Sequence, residues 1–147
     1  MNVYISQIDL KLQMVFNLRF HCRRSLESCF MNFDNYTIKS QEVLNKAKEI
    51  ATTHGQQVIE TSHLLLAILQ SDENLVSFLF KKIGSNRSVI EQKLDENIQK
   101  YPSVTGGQTC LSNQALQALK NSEAFLNDLE DEYVAVEHIL LGILKGK

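Results

Sequence analysis

Ile59-Glu60-Thr61-Ser62-His63-Leu64-Leu65-Leu66-Ala67-Ile68-Leu69 is a stretch that this chain writes twice. The second copy is Val134-Ala135-Val136-Glu137-His138-Ile139-Leu140-Leu141-Gly142-Ile143-Leu144, at an offset of 75 residues (138 − 63) with no gap. Of the nine positions from Thr61 to Leu69, five recur unchanged: His63/His138, Leu65/Leu140, Leu66/Leu141, Ile68/Ile143 and Leu69/Leu144. Self-similarity at a fixed period points to two copies of one supersecondary unit. Both copies are apolar nearly all round, the pattern of a helix buried at the centre of a core.

The helical period extends on both sides. Val43, Leu44, Ala47, Ile50 and Ala51 share a face after a Thr37 N-cap, and Gly55 stops that helix. Past the first copy, a third helix over about Asn74–Ile83 is expected to turn Leu75, Phe78, Leu79 and Ile83 inward. Lys81 and Lys82 complement its dipole and Gly84 ends it. A fourth, capped by Asn86, carries Ile90, Leu94 and Ile98 and closes at Tyr101-Pro102. Residues 103–109, with Gly106-Gly107, read as a linker. Helix five, about Asn113–Asp128 after a Ser112 cap, replays helix one, and helix six, about Val136–Lys145, replays helix two. The fold expected is all-α: two pseudo-symmetric helical repeats, one over about 37–100 and a second over about 112–147, incomplete after two helices.

Residues 1–30 read differently. Ile8, Leu10, Leu12, Met14, Phe16, Leu18 and Phe20 alternate at a strand period, and nothing later in the chain reads as a strand to pair with them. They are expected to be a leader outside the domain, either a mis-called start upstream of Met31 or a disordered segment, leaving 31–147 as the domain. With the second repeat incomplete, Ile139, Leu140, Ile143 and Leu144 are expected to lack their cover. About 1.5–3 kcal/mol is at stake for each large side chain, and residues 1–30 or a second molecule would supply the cover instead.

Composition narrows the function. A net charge of −2 without a basic block gives no reason to expect nucleic acid, and no apolar run is long enough to span a bilayer. Three scattered cysteines form no disulfide framework and fit a cytoplasmic protein. Gly142-Ile-Leu-Lys-Gly146-Lys147 has three residues between its glycines where a phosphate loop has four, so nucleotide chemistry is excluded there. The histidines lack metal-ligand spacing. A structural role, a ring nitrogen bonded to the free backbone groups of a neighbouring helix end, is expected for His63 and His138. No nucleophile, base and orienting group converge, and neither catalysis nor a cofactor is expected in this chain.

Met31-Asn-Phe-Asp-Asn-Tyr-Thr-Ile-Lys-Ser-Gln-Glu42 resembles the opening of the ClpB-type AAA+ disaggregases. The paired Glu-Thr-Ser-His-Leu-Leu-Leu and Val-Glu-His-Ile-Leu-Leu-Gly segments are similar to that family's double amino-terminal Clp repeat. The joint Tyr101-Pro-Ser-Val-Thr-Gly-Gly107 followed by Cys110-Leu-Ser112 is similar too. The resemblance spans about 31–147. It implies a substrate-binding amino-terminal domain that contacts unfolded or aggregated polypeptide and passes it to an ATP-driven ring. The ring would be a homohexamer that uses ATP and magnesium and cooperates with a DnaK-type chaperone. It also implies substrate-binding roles for the residues at matching positions, Thr37, Asp131 and Glu137. Thr37 reads equally well as an N-cap and Glu137 as a first-turn acid. Adaptor or degradation-tag docking beside a Clp protease is the alternative. Some relatives of that branch read phosphorylated arginine with a glutamate before each repeat histidine; here Glu137 matches but Ser62 does not. A free-standing regulatory helical module is a third reading.

Overall fold

The computed structural model describes residues 32–104 and 106–146. Among them the elements are α1 (Ile38–Thr53), β1 (Val58–Ile59), α2 (Thr61–Ser71), α3 (Glu73–Ile83) and α4 (Arg87–Ile98), then β2 (Cys110–Leu111), α5 (Asn113–Leu129) and α6 (Val136–Lys145). The alternating stretch at 1–30 lies outside the described residues. The caps explain the boundaries. Thr37, Asp72, Asn86 and Ser112 side chains accept the backbone N–H groups of Ser40, Leu75, Ser88 and Ala115, each satisfying one of the free donors of a helix start. Gly84, at φ +67°, ends α3 in the left-handed conformation that glycine adopts without penalty.

α2 packs on α1, and α6 on α5, as the repeated sequence requires. The α5–α6 approach is the tighter one at Gly142, where a Cβ would stand 2.2 Å from Ala118 O and 2.9 Å from Ser122 N. The core gathers α1 (Val43, Ala47, Ile50), α2 (Leu64, Leu66, Ile68), and Leu119 and Ile139 from α5 and α6, while Ile98 closes it from α4.

Two short parallel pairings tie the halves together. Ile59 stands opposite Leu111 and Val58 opposite Cys110, while Tyr36 forms a parallel bridge to Val134. Adding 75 to Tyr36 gives Leu111 and adding 75 to Ile59 gives Val134, so the two contacts exchange under the sequence offset. Their hydrogen bonds exchange as well: Ser112 N–H donates to Ile59 O at 2.9 Å, and Thr37 N–H to Val134 O at 3.1 Å.

Three expectations are corrected. Strands do occur beyond residue 30, two residues long each and set by tertiary approach rather than by alternation. α3 buries Val76, with Leu75 and Phe80 against the core, and leaves Phe78 and Ile83 exposed. Six of its eleven residues are large and apolar, so several faces competed for the core and position alone decided. α6 is better covered than expected: Ile139 is fully buried and Leu140 and Ile143 pack against the core, leaving Leu144, with Leu141, exposed.

Candidate functional site

The second-half turn between α5 and α6 breaks two local rules. Asp128 lies in the last turn of α5 and Glu130 is its C-cap, at a helix end where the macrodipole disfavours carboxylates and the last turn itself carries no basic residue. Glu130 also sits at φ +57°, a left-handed conformation held by Gly55 at the equivalent position of the first half. Asp128, Glu130, Asp131, Glu132 and Glu137 are all exposed, giving this edge a concentrated negative charge. Such conflicts between local preference and fold concentrate at functional sites.

Thr37, Asp131 and Glu137 are gathered at this edge by the Tyr36–Val134 bridge. It joins the start of α1 to the segment between Asp131 and the first turn of α6. Thr37 is half-buried and committed to its cap: Oγ1 accepts from Ser40 N–H at 3.2 Å and lies 3.0 Å from Ser40 Oγ. Glu137 is exposed in the first turn of α6, where the dipole favours a carboxylate. Asp131 is half-exposed, with Oδ2 3.2 Å from His138 Nε2. That ring nitrogen is buried and has no acceptor in line with its N–H among the described residues, so the contact is electrostatic rather than a formed hydrogen bond.

The histidines are structural, but they cap their own helices and not a neighbouring helix end as expected. Glu60 N–H donates to His63 Nδ1 at 2.9 Å and Ala135 N–H to His138 Nδ1 at 3.1 Å. The imidazole at the third helical position thus replaces the Glu or Gln of a capping box. His63 Nε2 then donates to Gln56 Oε1 at 2.7 Å. Burial, and next the charge of His54, push the His63 pKa down to about 4. Beneath the site, Tyr36 Oη donates to Glu123 Oε1 at 3.2 Å, and burial and then the Glu123 charge raise the phenol above its ordinary range.

One turn along α1 from Thr37, a groove of about 350 Å³ runs between α1 and the β1–β2 pair. Phe33, Leu44, Ile59 and Leu111 supply its apolar surface, and Gln41, Asn45, Lys48 and Thr109 its polar rim. Gln41 holds one end by donating to Phe33 O at 3.1 Å and Tyr36 O at 3.0 Å. These residues come from three separated segments, so no sequence period announced them. Among the described residues no His, Cys, Asp and Glu side chains form a cluster able to hold a metal, and no helix is long and apolar enough to cross a membrane.

Comparison with known proteins places the fold. The model of the Clp repeat N-terminal domain matches residues 35–147. The chaperone protein ClpB of Porphyromonas gingivalis is 46% identical over 114 residues, covering 78% of this chain, and that of Bacteroides thetaiotaomicron is 38% identical over 117 residues, covering 80%. The chain spans only 13% and 14% of those two relatives. Among solved structures, the Hsp104 N-terminal domain from Candida albicans superposes with a TM-score of 0.70 at 24% identity, covering 77% of this chain and 75% of that one. The N-domain of ClpV from Vibrio cholerae gives 0.67 at 15%, covering 77% and 68%. At these identities the structures speak for the fold.

Proposed function

The chain belongs to the Clp repeat N-terminal domain family, and from that premise we propose that it captures unfolded or aggregated polypeptide for an ATP-driven disaggregase of the ClpB type. The site is the edge formed by Thr37, Asp131 and Glu137 together with the groove beside it. The observation that carries this reading is the α5–α6 turn, where exposed carboxylates stand against the helix dipole next to a strained Glu130. Charge placed there at a cost to the fold is suited to attracting basic stretches of extended chain. The apolar groove then offers their hydrophobic neighbours a place out of water. The chain contributes binding and no chemistry. Hydrolysis of ATP with magnesium, assembly as a homohexamer in the cytoplasm and cooperation with a DnaK-type chaperone belong to the proposed whole protein.

Docking of a phosphoarginine tag is less well supported. Ser62, where such a reader would carry its second acid, has its hydroxyl 3.1 Å from Tyr101 Oη, inside the fold.

Reduced, carboxymethylated α-lactalbumin labelled with a fluorophore supplies a test by anisotropy. Wild type is expected to bind it and not the native form, with binding weakened by salt. The Asp131→Ala/Glu137→Ala double variant should bind roughly tenfold more weakly at unchanged helicity. Unaltered binding by the variant would remove this edge from the function.

A further inference from the structure

We infer that Asp131 serves the capture site as a positioning residue. It acts through the buried His138 ring to hold the α6 N-terminus that presents Glu137, and does not itself touch the polypeptide. This deepens the capture reading above and rests on it.

The 75-residue offset places Gln56 and Asp131 at equivalent positions, each seven residues ahead of a buried histidine. Even the bond that fixes them is shared: Gln56 N–H donates to Ala51 O at 2.8 Å, and Asp131 N–H to Leu126 O at 3.1 Å. In the first half the protons are forced. Gln56 Nε2 donates to Ile98 O at 2.6 Å, so Oε1 faces the ring as an acceptor at 2.7 Å. His63 therefore carries its proton on Nε2, and Nδ1 is free to receive the Glu60 N–H.

In the second half the Ala135 N–H donates to His138 Nδ1, which forces the same tautomer. The Nε2–H is then buried without an acceptor in line among the described residues, and Asp131 Oδ2 stands 3.2 Å away. A carboxylate there meets by charge the need that Gln56 meets by direction. Glu137 adjoins His138 in the chain, its side chain exposed while the ring is buried, so the orientation of the ring sets the backbone from which Glu137 projects.

The experiment uses the full chain and two readouts. The first is independent of any ligand: exchange of the Ala135 amide and the ring 15N shifts of His138, by NMR. Wild type is expected to show the Nε2–H tautomer. Asp131→Ala should speed Ala135 exchange roughly tenfold, and Asp131→Asn, which keeps an oxygen beside the ring but not the charge, should speed it less. The second readout is capture of carboxymethylated α-lactalbumin. Asp131→Ala and Glu137→Gln should each fall roughly tenfold, and Asp131→Asn should fall less than Asp131→Ala, in step with its Ala135 protection.

If Asp131→Asn loses as much capture as Asp131→Ala while the Ala135 amide stays protected, the carboxylate touches the polypeptide directly and the positioning role is overturned. An Ala135 amide and ring unmoved by Asp131→Ala overturns it as well. If wild type captures nothing, the capture reading fails, and the NMR arm alone decides whether Asp131 positions α6.

Discussion

His63 shows how one side chain can make a helix start depend on acidity. Its ring must stay neutral to accept the Glu60 N–H, and its pKa falls from 6.5 to about 4 on folding because burial, then His54, oppose the charge. A group depressed in this way adds stability above its unfolded pKa of 6.5 and loses it as pH falls through 4. The amount at stake is on the order of 3 kcal/mol. Urea unfolding of wild type and His63→Gln at pH 7 and pH 4 checks this, because glutamine at the third helical position keeps the cap without titrating. The variant's loss between the two pH values should be smaller than wild type's by about that amount; equal losses would mean that the ring is not held neutral. The position of the histidine was legible from the repeat. Its partner was not, because the ring folds back on its own N-cap. The pattern that could have revealed it is the Gln56/Asp131 pair seven residues ahead.

At the scale of elements, helix periodicity and cap chemistry carried nearly everything. Thr37, Asn86, Ser112 and Gly84 each act where the sequence placed them. What escaped was decided by neighbours outside the element. β1 and β2 are too short to show alternation, and which face α3 buries depends on where α2 and α4 come to rest. The candidate site was legible only through resemblance for Thr37, Asp131 and Glu137, and its groove not at all. Helix contact also gives Gly142 its meaning. Ala67 stands at the equivalent position in α2, fully buried with its Cβ accommodated, whereas a Cβ at Gly142 would meet backbone at 2.2 Å. Gly142→Ala should therefore force α5 and α6 apart and cost about 3 kcal/mol, read as a lowered urea midpoint. A cost below about 0.5 kcal/mol would show that the helices have room to separate.

Across the whole molecule, near-identical sequence meets unequal surroundings. Leu66 and Leu69 are 2% and 5% exposed beneath the α3–α4 side, while their counterparts Leu141 and Leu144 are 37% and 56% exposed. Leu66→Ala is expected to cost about 2–5 kcal/mol and Leu141→Ala about 0.5 kcal/mol or less in this chain. Equal losses in urea titrations would show that α6 is covered in solution. The two bridges that join the halves bear on time as well as on shape. Tyr36 and Val134 lie 98 residues apart, Ile59 and Leu111 only 52. Closing the shorter span first roughly halves the path that the longer one must close, and each halving spares about 0.6 kcal/mol of loop entropy. Loop entropy thus favours an order of assembly that runs from the middle of the chain outward. By that bias the edge proposed to meet unfolded polypeptide, which hangs on the longer span, would be the last part of the domain to know its own shape.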